Sequence, residues 1–223
     1  MSSNDASLNV ENLLKKGLQE LGIAFTEGQL TAFMTFLQDL KKWNKAYNLT
    51  ALKTDEDIVI KHFLDSLLYL KAIPDGTLKL ADAGTGAGFP GIPMKIMRPE
   101  MSVTLIEPSR KKAAFLRHMT RLLRLSETSV IEQRLELLGK EHEKRFDVIV
   151  SRATFNTTDF LKMACPYVKD NGRLILNKGP KFSEELKDLE QSYHEKGRVE
   201  EVKTVRLPLA GAERNLIILS CKM

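Results

Sequence analysis

The chain has 223 residues and a formal net charge of +5, with 43% hydrophobic and 28% charged residues. This composition is ordinary for a soluble globular protein, and the length suits one sizeable core with an appended subdomain. No apolar run approaches the ~20 residues that span a bilayer, and the polar residues 1–7 indicate neither a signal peptide nor a transit peptide. We therefore expect a cytoplasmic protein that contacts no membrane.

The charge is unevenly distributed. Residues 1–74 carry 8 Lys and Arg against 9 Asp and Glu, so the basic excess lies in residues 75–223 and favours a polyanionic partner there. The two cysteines, Cys165 and Cys221, lack the spacing of metal ligands and predict buried core thiols, neither a disulfide nor a metal site.

The first 74 residues predict helices. An apolar stripe runs from Leu8 to Leu21 and stops at Gly22, and a capping box at Thr26 and Gln29 predicts the start of a second helix. A third helix is predicted to begin after Thr54. The turn at residues 74–76 divides the chain into an N-terminal helical extension, residues 1–74, and a second domain, residues 75–223.

From residue 75 onwards, short apolar runs alternate with helical stretches, which predicts a parallel sheet covered on both faces. The predicted strands are 78–83, 102–107, 128–132, 146–151 and 172–177, and the predicted helices are 91–97, 110–125, 157–168 and 182–196. Two further runs, 199–207 and 214–221, predict a closing hairpin. The predicted fold is α/β, a Rossmann-like sheet of seven strands with one antiparallel strand at its end.

A glycine-rich loop directly follows the first predicted strand. Asp82 precedes alternating glycines at Gly84, Gly86 and Gly88, a pattern typical of backbone that passes close to a ligand. Glu107 ends the second apolar run, 21 residues after Gly86, where a carboxylate can accept hydrogen bonds from both ribose hydroxyls of a nucleoside. These residues predict a nucleoside cofactor site.

Two cofactors suit this loop. Gly86-x-Gly88-x-x-Gly91 matches the dinucleotide fingerprint, so an NAD-dependent oxidoreductase is one alternative. S-adenosylmethionine is favoured, because Asp82 suits the ammonium group of its methionine part and would repel a pyrophosphate.

Short motifs along most of the chain accompany the glycine loop. They are Trp43-Asn44, Asn48-Leu49-Thr50-Ala51, His62-Phe63-Leu64-Asp65-Ser66-Leu67, the loop from Asp82 to Pro93, Lys111-Lys112-x-x-Phe115-Leu116, Arg134-Leu135-Glu136, Phe146-Asp147, Ser151-Arg152-Ala153, Lys178-Gly179 and Glu213-Arg214-Asn215. In these motifs, over roughly residues 40–221, the chain resembles the small-subunit rRNA guanine-N7 methyltransferase family (RsmG, also called GidB).

This resemblance implies a class I methyltransferase fold and methylation of N7 of a guanine, guanine 527, in the 16S rRNA of the small ribosomal subunit. Carried over by position, it implies S-adenosylmethionine contacts at Gly84, Phe89, Leu135, Glu136 and Arg152, with Leu135 and Glu136 at the adenine. These five join three residues predicted from the chemistry of the loop, namely Asp82, Gly86 and Glu107. A monomer is the working expectation.

The residues after the fourth strand bear on the acceptor. They read Ser151-Arg152-Ala153-Thr154, not the Asn/Asp-Pro-Pro-aromatic motif that usually accompanies an exocyclic amine acceptor. Guanine N7 presents an unprotonated lone pair and needs no general base, which agrees with this absence. No catalytic residue is therefore assigned. Arg152 is the candidate for positioning, by pairing with the donor carboxylate or with a phosphate of the target.

A basic helix face predicts contact with RNA. Between Glu107 and Glu127 there are six basic residues and no acidic ones. Four of them fall within a ~60° sector of a helix and predict phosphate contacts, with solvated arginines as the alternative: Arg110, Arg117, Arg121 and Arg124. His62 and Lys178 are further candidates for RNA contact, against structural roles. Phe89, Phe155 and Phe182 are candidates for stacking a base, with core packing as the rival role for each.

Three other functions stay open on the sequence. They are the NAD-dependent oxidoreductase, an RNA-binding module that binds no cofactor, and a methyltransferase that acts on another RNA or on a small molecule.

Overall fold

The computed structural model describes residues 3–152, 155–179, 182, 185 and 197–222, and within residues 3–8 it describes the backbone only. It consists of one seven-stranded sheet with helices on both faces, which confirms the predicted α/β class. Within these residues, no helix is long and apolar enough to cross a bilayer.

The N-terminal extension begins with two long helices. Helix α1 spans Ser3–Leu21 and α2 spans Glu27–Tyr47. Gly22 adopts a φ of 69° just after α1, which ends that helix as predicted. The capping box at Thr26 and Gln29 is present with both of its hydrogen bonds, which fixes the start of α2.

A third helical stretch starts after the capping residue Thr54 and changes its pitch along its length. It runs through α3 (Asp55–Ile58), a π-helical turn (Val59–Leu64), α4 (Asp65–Leu67) and a 3₁₀ turn (Leu68–Lys71). A π-helical turn of this kind frequently lies at a functional site. Here it carries His62 and ends immediately before Asp65.

The strands appear where the sequence predicts them. They are β1 (Lys79–Ala83), β2 (Ser102–Ile106), β3 (Thr128–Ile131), β4 (Phe146–Arg152), β5 (Val168–Lys178), β6 (Gly197–Arg206) and β7 (Glu213–Cys221). Their order in the sheet is β3-β2-β1-β4-β5-β7-β6. The last strand of the chain, β7, is antiparallel to its neighbours, as predicted, and it lies between β5 and β6.

In the described part of the second domain there are three α-helices. Helix α5 spans Gly91–Met97, as predicted, whereas α6 spans Arg110–Leu122 and α7 spans Thr157–Ala164. Helix α6 is shorter than predicted because Arg124 takes a left-handed φ of 51° and the N–H of Leu125 closes back on the carbonyl of Thr120. Helix α7 is shorter because β5 begins at Val168. The predicted helix at 182–196 lies almost entirely outside the described residues.

Two apolar clusters cover the two faces of the sheet. The larger cluster joins α1, α2, α3, α5 and α6 to one face, with Phe36 stacked near Phe63, Phe89 and Phe115. The smaller cluster joins α7 and residues 135–138 to the other face. The extension thus shares a core with the sheet, and the proposed boundary between residues 74 and 75 stays a prediction.

The two cysteines form a disulfide, so the prediction of unpaired core thiols was wrong. Cys165 follows α7 and Cys221 ends β7, and their Cα atoms are 5.7 Å apart. The two cysteines are separated by 56 positions in the sequence, and their spacing therefore does not predict that the fold brings them together.

Candidate functional site

The predicted cofactor residues meet at one edge of the sheet. Strands β2 and β4 lie on either side of β1 and run parallel to it, so all three end at the same edge. Asp82 lies near the end of β1, Glu107 directly follows β2, and Arg152 ends β4. From β1 the chain adds β2 and β3 on one side of β1 and then crosses to add β4 on the other side. This edge is therefore the topological switch point where open α/β sheets bind their ligands.

Asp82 is fully buried, and only one of its two carboxylate oxygens has a partner. Oδ2 accepts hydrogen bonds from the Gly91 N–H at 2.7 Å and from the Thr85 hydroxyl, whereas Oδ1 has no partner within the described residues. Burial raises the pKa of Asp82 to about 7, against the lowering effects of these hydrogen bonds. A buried carboxylate oxygen with unused acceptor capacity suits a cationic group, such as the ammonium of S-adenosylmethionine.

The backbone of the glycine loop is positioned by β2. Gly84 donates its N–H to the Ile106 carbonyl at 2.9 Å, and Gly86 has a φ of 63° that a residue with a Cβ adopts only with strain. A Cβ added at Gly86 would meet no atom within 4 Å. The loop therefore borders open space at Gly86, where a ligand can approach the main chain.

Glu107 links the loop to the start of α6. Its Oε2 accepts a hydrogen bond from the Gly86 N–H and its Oε1 accepts one from the Ser109 N–H, both at 2.9 Å. Each carboxylate oxygen has a second lone pair, so the buried Glu107 can still accept hydrogen bonds from ribose hydroxyls.

Residues Leu135 and Glu136 form a short 3₁₀ turn, Leu135–Leu137, after β3. Leu135 is buried in the same apolar cluster as Ala83 and Ile106, which end β1 and β2. Glu136 is exposed, with its carboxylate 3.9 Å from Arg134. The structure thus packs Leu135 into the apolar cluster that includes the ends of β1 and β2 and leaves Glu136 exposed, and their contact with the cofactor stays a prediction.

Arg152 is held by the N-terminal extension. Its Nη1 donates to the Lys61 carbonyl at 3.0 Å and lies 3.3 Å from Asp65 Oδ2, and its Nη2 donates to His62 Nδ1 at 2.9 Å. Its guanidinium carbon also lies 5.3 Å from the centre of the Phe89 ring. The extension therefore fixes the direction of the arginine that ends β4.

His62 is neutral in this arrangement. Because Nδ1 accepts from Arg152, we assign the ring proton to Nε2, which lies 2.7 Å from the Thr50 hydroxyl oxygen. Burial, followed by the charge of Arg152, lowers the pKa of His62 to about 3. A neutral ring with both nitrogens engaged favours the structural role over direct contact with an RNA phosphate.

The aromatic rings predicted for base stacking are packed against the protein. Phe89 lies between Phe36 and His62, with ring centroids 5.2 Å and 4.3 Å away, so both of its faces are covered. Phe155 stacks on Phe160 at 5.7 Å, and Phe182 packs against the smaller apolar cluster. These contacts favour core packing for all three.

The buried carboxylate of Asp65 had no separate role in the sequence prediction. Its two oxygens bridge Arg152, at 3.3 Å, and Arg214, at 2.8 Å. Asp65 and Arg214 belong to pieces that carry the family resemblance, but their pairing spans 149 positions. The sequence did contain one indication: Asp65 is an acidic residue inside the apolar run 63–68, which predicts a buried carboxylate that needs a basic partner.

The four arginines of the basic face do not lie at one place. Arg110 begins α6 at the cofactor edge, whereas Arg124 lies beyond the far end of that helix, about 20 Å away along its axis. Arg117 pairs with Glu132 at 2.8 Å. All four side chains are exposed, but only Arg110 lies near the cofactor loop.

Lys178 is not presented to solvent as a phosphate contact would require. Its ammonium donates to the Phe155 carbonyl at 2.6 Å and pairs with Glu185 at 2.9 Å, and its side chain is only 12% exposed. Among the described residues, the Lys178 ammonium therefore pairs with the half-buried carboxylate of Glu185.

Comparison with known proteins gives consistent results. The family model described as "rRNA small subunit methyltransferase G" matches residues 29–217. The chain is 40% identical over 210 residues to the ribosomal RNA small subunit methyltransferase G of Geotalea uraniireducens, covering 94% of this chain and 95% of that protein.

Two solved structures share the fold at low sequence identity. An Agrobacterium tumefaciens protein described as a predicted O-methyltransferase matches with a TM-score of 0.56 and 21% identity, covering 72% of this chain and 80% of that one. TYW2 of M. jannaschii in complex with AdoMet matches with a TM-score of 0.51 and 15% identity, covering 70% of this chain and 74% of that one.

Proposed function

The chain belongs to the rRNA small subunit methyltransferase G family, and from that premise we propose that it methylates N7 of a guanine, guanine 527, in the 16S rRNA of the small ribosomal subunit. The family makes it an enzyme that uses S-adenosylmethionine and acts on ribosomal RNA. We further propose that it works as a monomer in the cytoplasm.

The observation that carries the cofactor proposal is the unpartnered oxygen of Asp82. Asp82 would hold the ammonium group, Glu107 the ribose hydroxyls, and the backbone of Gly84 and Gly86 would pass against the ligand. Leu135 and Glu136 would border the adenine. When bound, S-adenosylmethionine supplies an electrophilic methyl group on a sulfonium.

The residues of this chain then have to orient two reactants and exclude water, while the N7 lone pair takes the methyl group and the positive charge of the sulfonium passes to the guanine. Guanine N7 needs no proton removed, and neither His62, which is neutral and engaged, nor the disulfide-bonded Cys165 and Cys221 is available as a general base or nucleophile. Arg152, fixed by Asp65 and His62, would position the donor carboxylate or an RNA phosphate beside the reaction.

Methyl transfer from radiolabelled S-adenosylmethionine tests this function. The substrates are purified small ribosomal subunits and protein-free 16S rRNA, with large subunits as the control. We expect radiolabel only in the small-subunit RNA, recovered as 7-methylguanosine after nuclease digestion. Strand cleavage at the modified nucleotide should map the methyl group to position 527. Asp82→Asn should reduce the label because it removes the anionic partner of the ammonium.

Three outcomes would contradict the proposal. Label in another nucleoside would change the acceptor, and label in a small molecule or in protein would remove the RNA substrate. Calorimetric binding of NAD without binding of S-adenosylmethionine would restore the oxidoreductase alternative that the glycine pattern leaves open.

A further inference from the structure

A cavity lies on the N-terminal extension, at the end of α2. It has a volume of about 280 Å³ and is bounded by α2, the connection after it and α3. Its lining comprises Leu40, Lys41, Asn44, Lys45, Asn48, Thr50, Leu52, Lys53 and Ile58. This volume lies just below the range of about 300–1,000 Å³ for small-molecule sites, which suits part of one nucleotide better than a whole cofactor.

The cavity is basic. Of its three lysines, Lys41 is paired with Asp55, whereas Lys45 and Lys53 have no carboxylate within 4.0 Å in the part of the chain that the structure describes. Both of these side chains are exposed at the mouth. Two unneutralised ammonium groups at a cavity whose lining is otherwise largely apolar favour a ligand with an anionic group. The backbone at the end of α2 carries negative partial charge, so any attraction for an anion must come from these side chains.

The cavity is connected to the cofactor edge through hydrogen bonds. Asn44 Oδ1 accepts from the Thr50 N–H at 2.9 Å, and the Thr50 hydroxyl oxygen lies 2.7 Å from His62 Nε2. His62 in turn accepts from Arg152 at 2.9 Å. One wall of the cavity is therefore continuous with the arginine that ends β4.

An exposed aromatic ring lies near the end of α2, outside the residues that line the cavity. Tyr47 is 45% exposed and packs on Trp43, with ring centroids 5.4 Å apart. It lies one helical turn beyond Trp43 and, in the sequence, between the lining residues Asn44 and Asn48. Unlike Phe89, it has surface left for a base. A rigid aromatic beside lysines is the combination that single-stranded RNA uses for stacking and phosphate contact.

We propose that this cavity and Tyr47 form a docking site for an unpaired nucleotide of the substrate RNA, near the nucleotide that is methylated. Lys45 and Lys53 contact its phosphates and Tyr47 stacks on its base. The inference rests on the proposed function for the identity of the RNA. It adds a site on the N-terminal extension that holds the RNA while the target base enters the edge of the sheet.

The test compares variants for RNA binding and methyl transfer. The variant Lys45→Gln/Lys53→Gln should bind S-adenosylmethionine with unchanged affinity and bind protein-free 16S rRNA about tenfold more weakly at 0.15 M salt. The slope of log K against log salt should become shallower by about 1.4, because two single-strand phosphate contacts are lost. Methylation of small subunits should show a raised KM with kcat unchanged. Tyr47→Ala should weaken binding at least fivefold, and Tyr47→Phe should not.

Lys42→Gln is the control for the single variants Lys45→Gln and Lys53→Gln, since each removes one charge and Lys42 is exposed on α2 without lining the cavity. If all three single variants have the same RNA affinity and salt slope, Lys45 and Lys53 are only solvated side chains and the proposal is overturned. Wild-type protein that binds S-adenosylmethionine but methylates no ribosomal RNA would instead overturn the proposed function. The two failures are therefore distinguishable.

Discussion

Arg152 Nη2 lies 2.9 Å from His62 Nδ1, and this hydrogen bond joins the N-terminal extension to the end of β4. The bond requires an unprotonated Nδ1, so protonating His62 would place two positive charges in contact. Burial alone already disfavours the charged ring. This bond therefore depends on a neutral histidine, whereas the bonds of Arg152 to the Lys61 carbonyl and to Asp65 do not.

The first prediction concerns the titration of His62. Its folded pKa of about 3 lies below the ordinary 6.5, so the unfolded chain binds more protons between these values and stability falls as the pH drops through that range. The stability difference between wild type and His62→Gln should shrink by about 2 kcal/mol from pH 7 to pH 5. Urea unfolding at both pH values measures it.

Nitrogen NMR of the imidazole provides an independent check on His62. We expect a single neutral form with the proton on Nε2 throughout pH 5–8. A ring that titrates near 6.5 would show that the bond to Arg152 is not formed in solution. In Arg152→Gln, the pKa should rise but stay below 6.5, because burial persists.

The second prediction concerns cofactor binding by Asp82. In the free protein its pKa is about 7, and a bound ammonium favours the ionised form. S-adenosylmethionine affinity should therefore increase about sixfold from pH 6 to pH 7.5, with release of a proton that calorimetry in buffers of different ionisation enthalpy can count. Above about pH 7.5 the affinity should fall again as the ligand's own amino group loses its proton.

Methylthioadenosine is the control ligand that distinguishes a lost bond between Asp82 and the ammonium group from a general distortion of the glycine loop. It contains the adenosine and sulfur of the cofactor but no amino acid part. Asp82→Asn should weaken S-adenosylmethionine and leave methylthioadenosine affinity and its flat pH profile unchanged. Equal losses for both ligands would show that Asp82 only supports the loop through Thr85 and Gly91.

Local signals in the sequence were sufficient to predict much of the fold. The capping box of α2, the limits of α5 and the glycine loop after β1 each depend on residues within about ten positions of one another, and the structure has them as predicted. Glu107 was placed correctly after β2 because the strand and its terminal acid are adjacent in the chain.

The features that the sequence could not show depend on long-range contacts. The bonds of Arg152 to His62 and Asp65 span 90 and 87 positions, and no pattern links them. Phe89 was a candidate for stacking because it lies in the ligand loop, but its burial depends on Phe36 in another element. Lys178 was a candidate for RNA contact because it lies at the end of the fifth strand, and the sequence did not show that Glu185 is its partner.

The third prediction concerns the disulfide between Cys165 and Cys221. Closing a loop of 56 positions restricts the unfolded chain, which corresponds to about 4 kcal/mol in the chain-entropy description. Reduction with dithiothreitol should lower the free energy of unfolding by 2–4 kcal/mol, roughly, as measured by urea titration. Cys165→Ser/Cys221→Ser should match the reduced wild type and show no response to the reductant. Equal stability of oxidised and reduced wild type would mean that the bond does not form in solution.

The last prediction compares the two ends of α6. Arg110 and Arg124 are both exposed, but only Arg110 lies at the cofactor edge, and about 20 Å of helix separates them. If the RNA backbone follows the edge of the sheet from the lysines of α2 to the start of α6, only Arg110 contacts it. Arg110→Gln should reduce the salt slope of RNA binding by about 0.7 and weaken binding several-fold, whereas Arg124→Gln should leave both unchanged.

The two variants carry the same charge change, so a difference between them reports position and not net charge. Equal effects of both would indicate that the whole arginine face contacts RNA, as the sequence alone predicts, and an effect of neither would place the RNA entirely on the N-terminal extension.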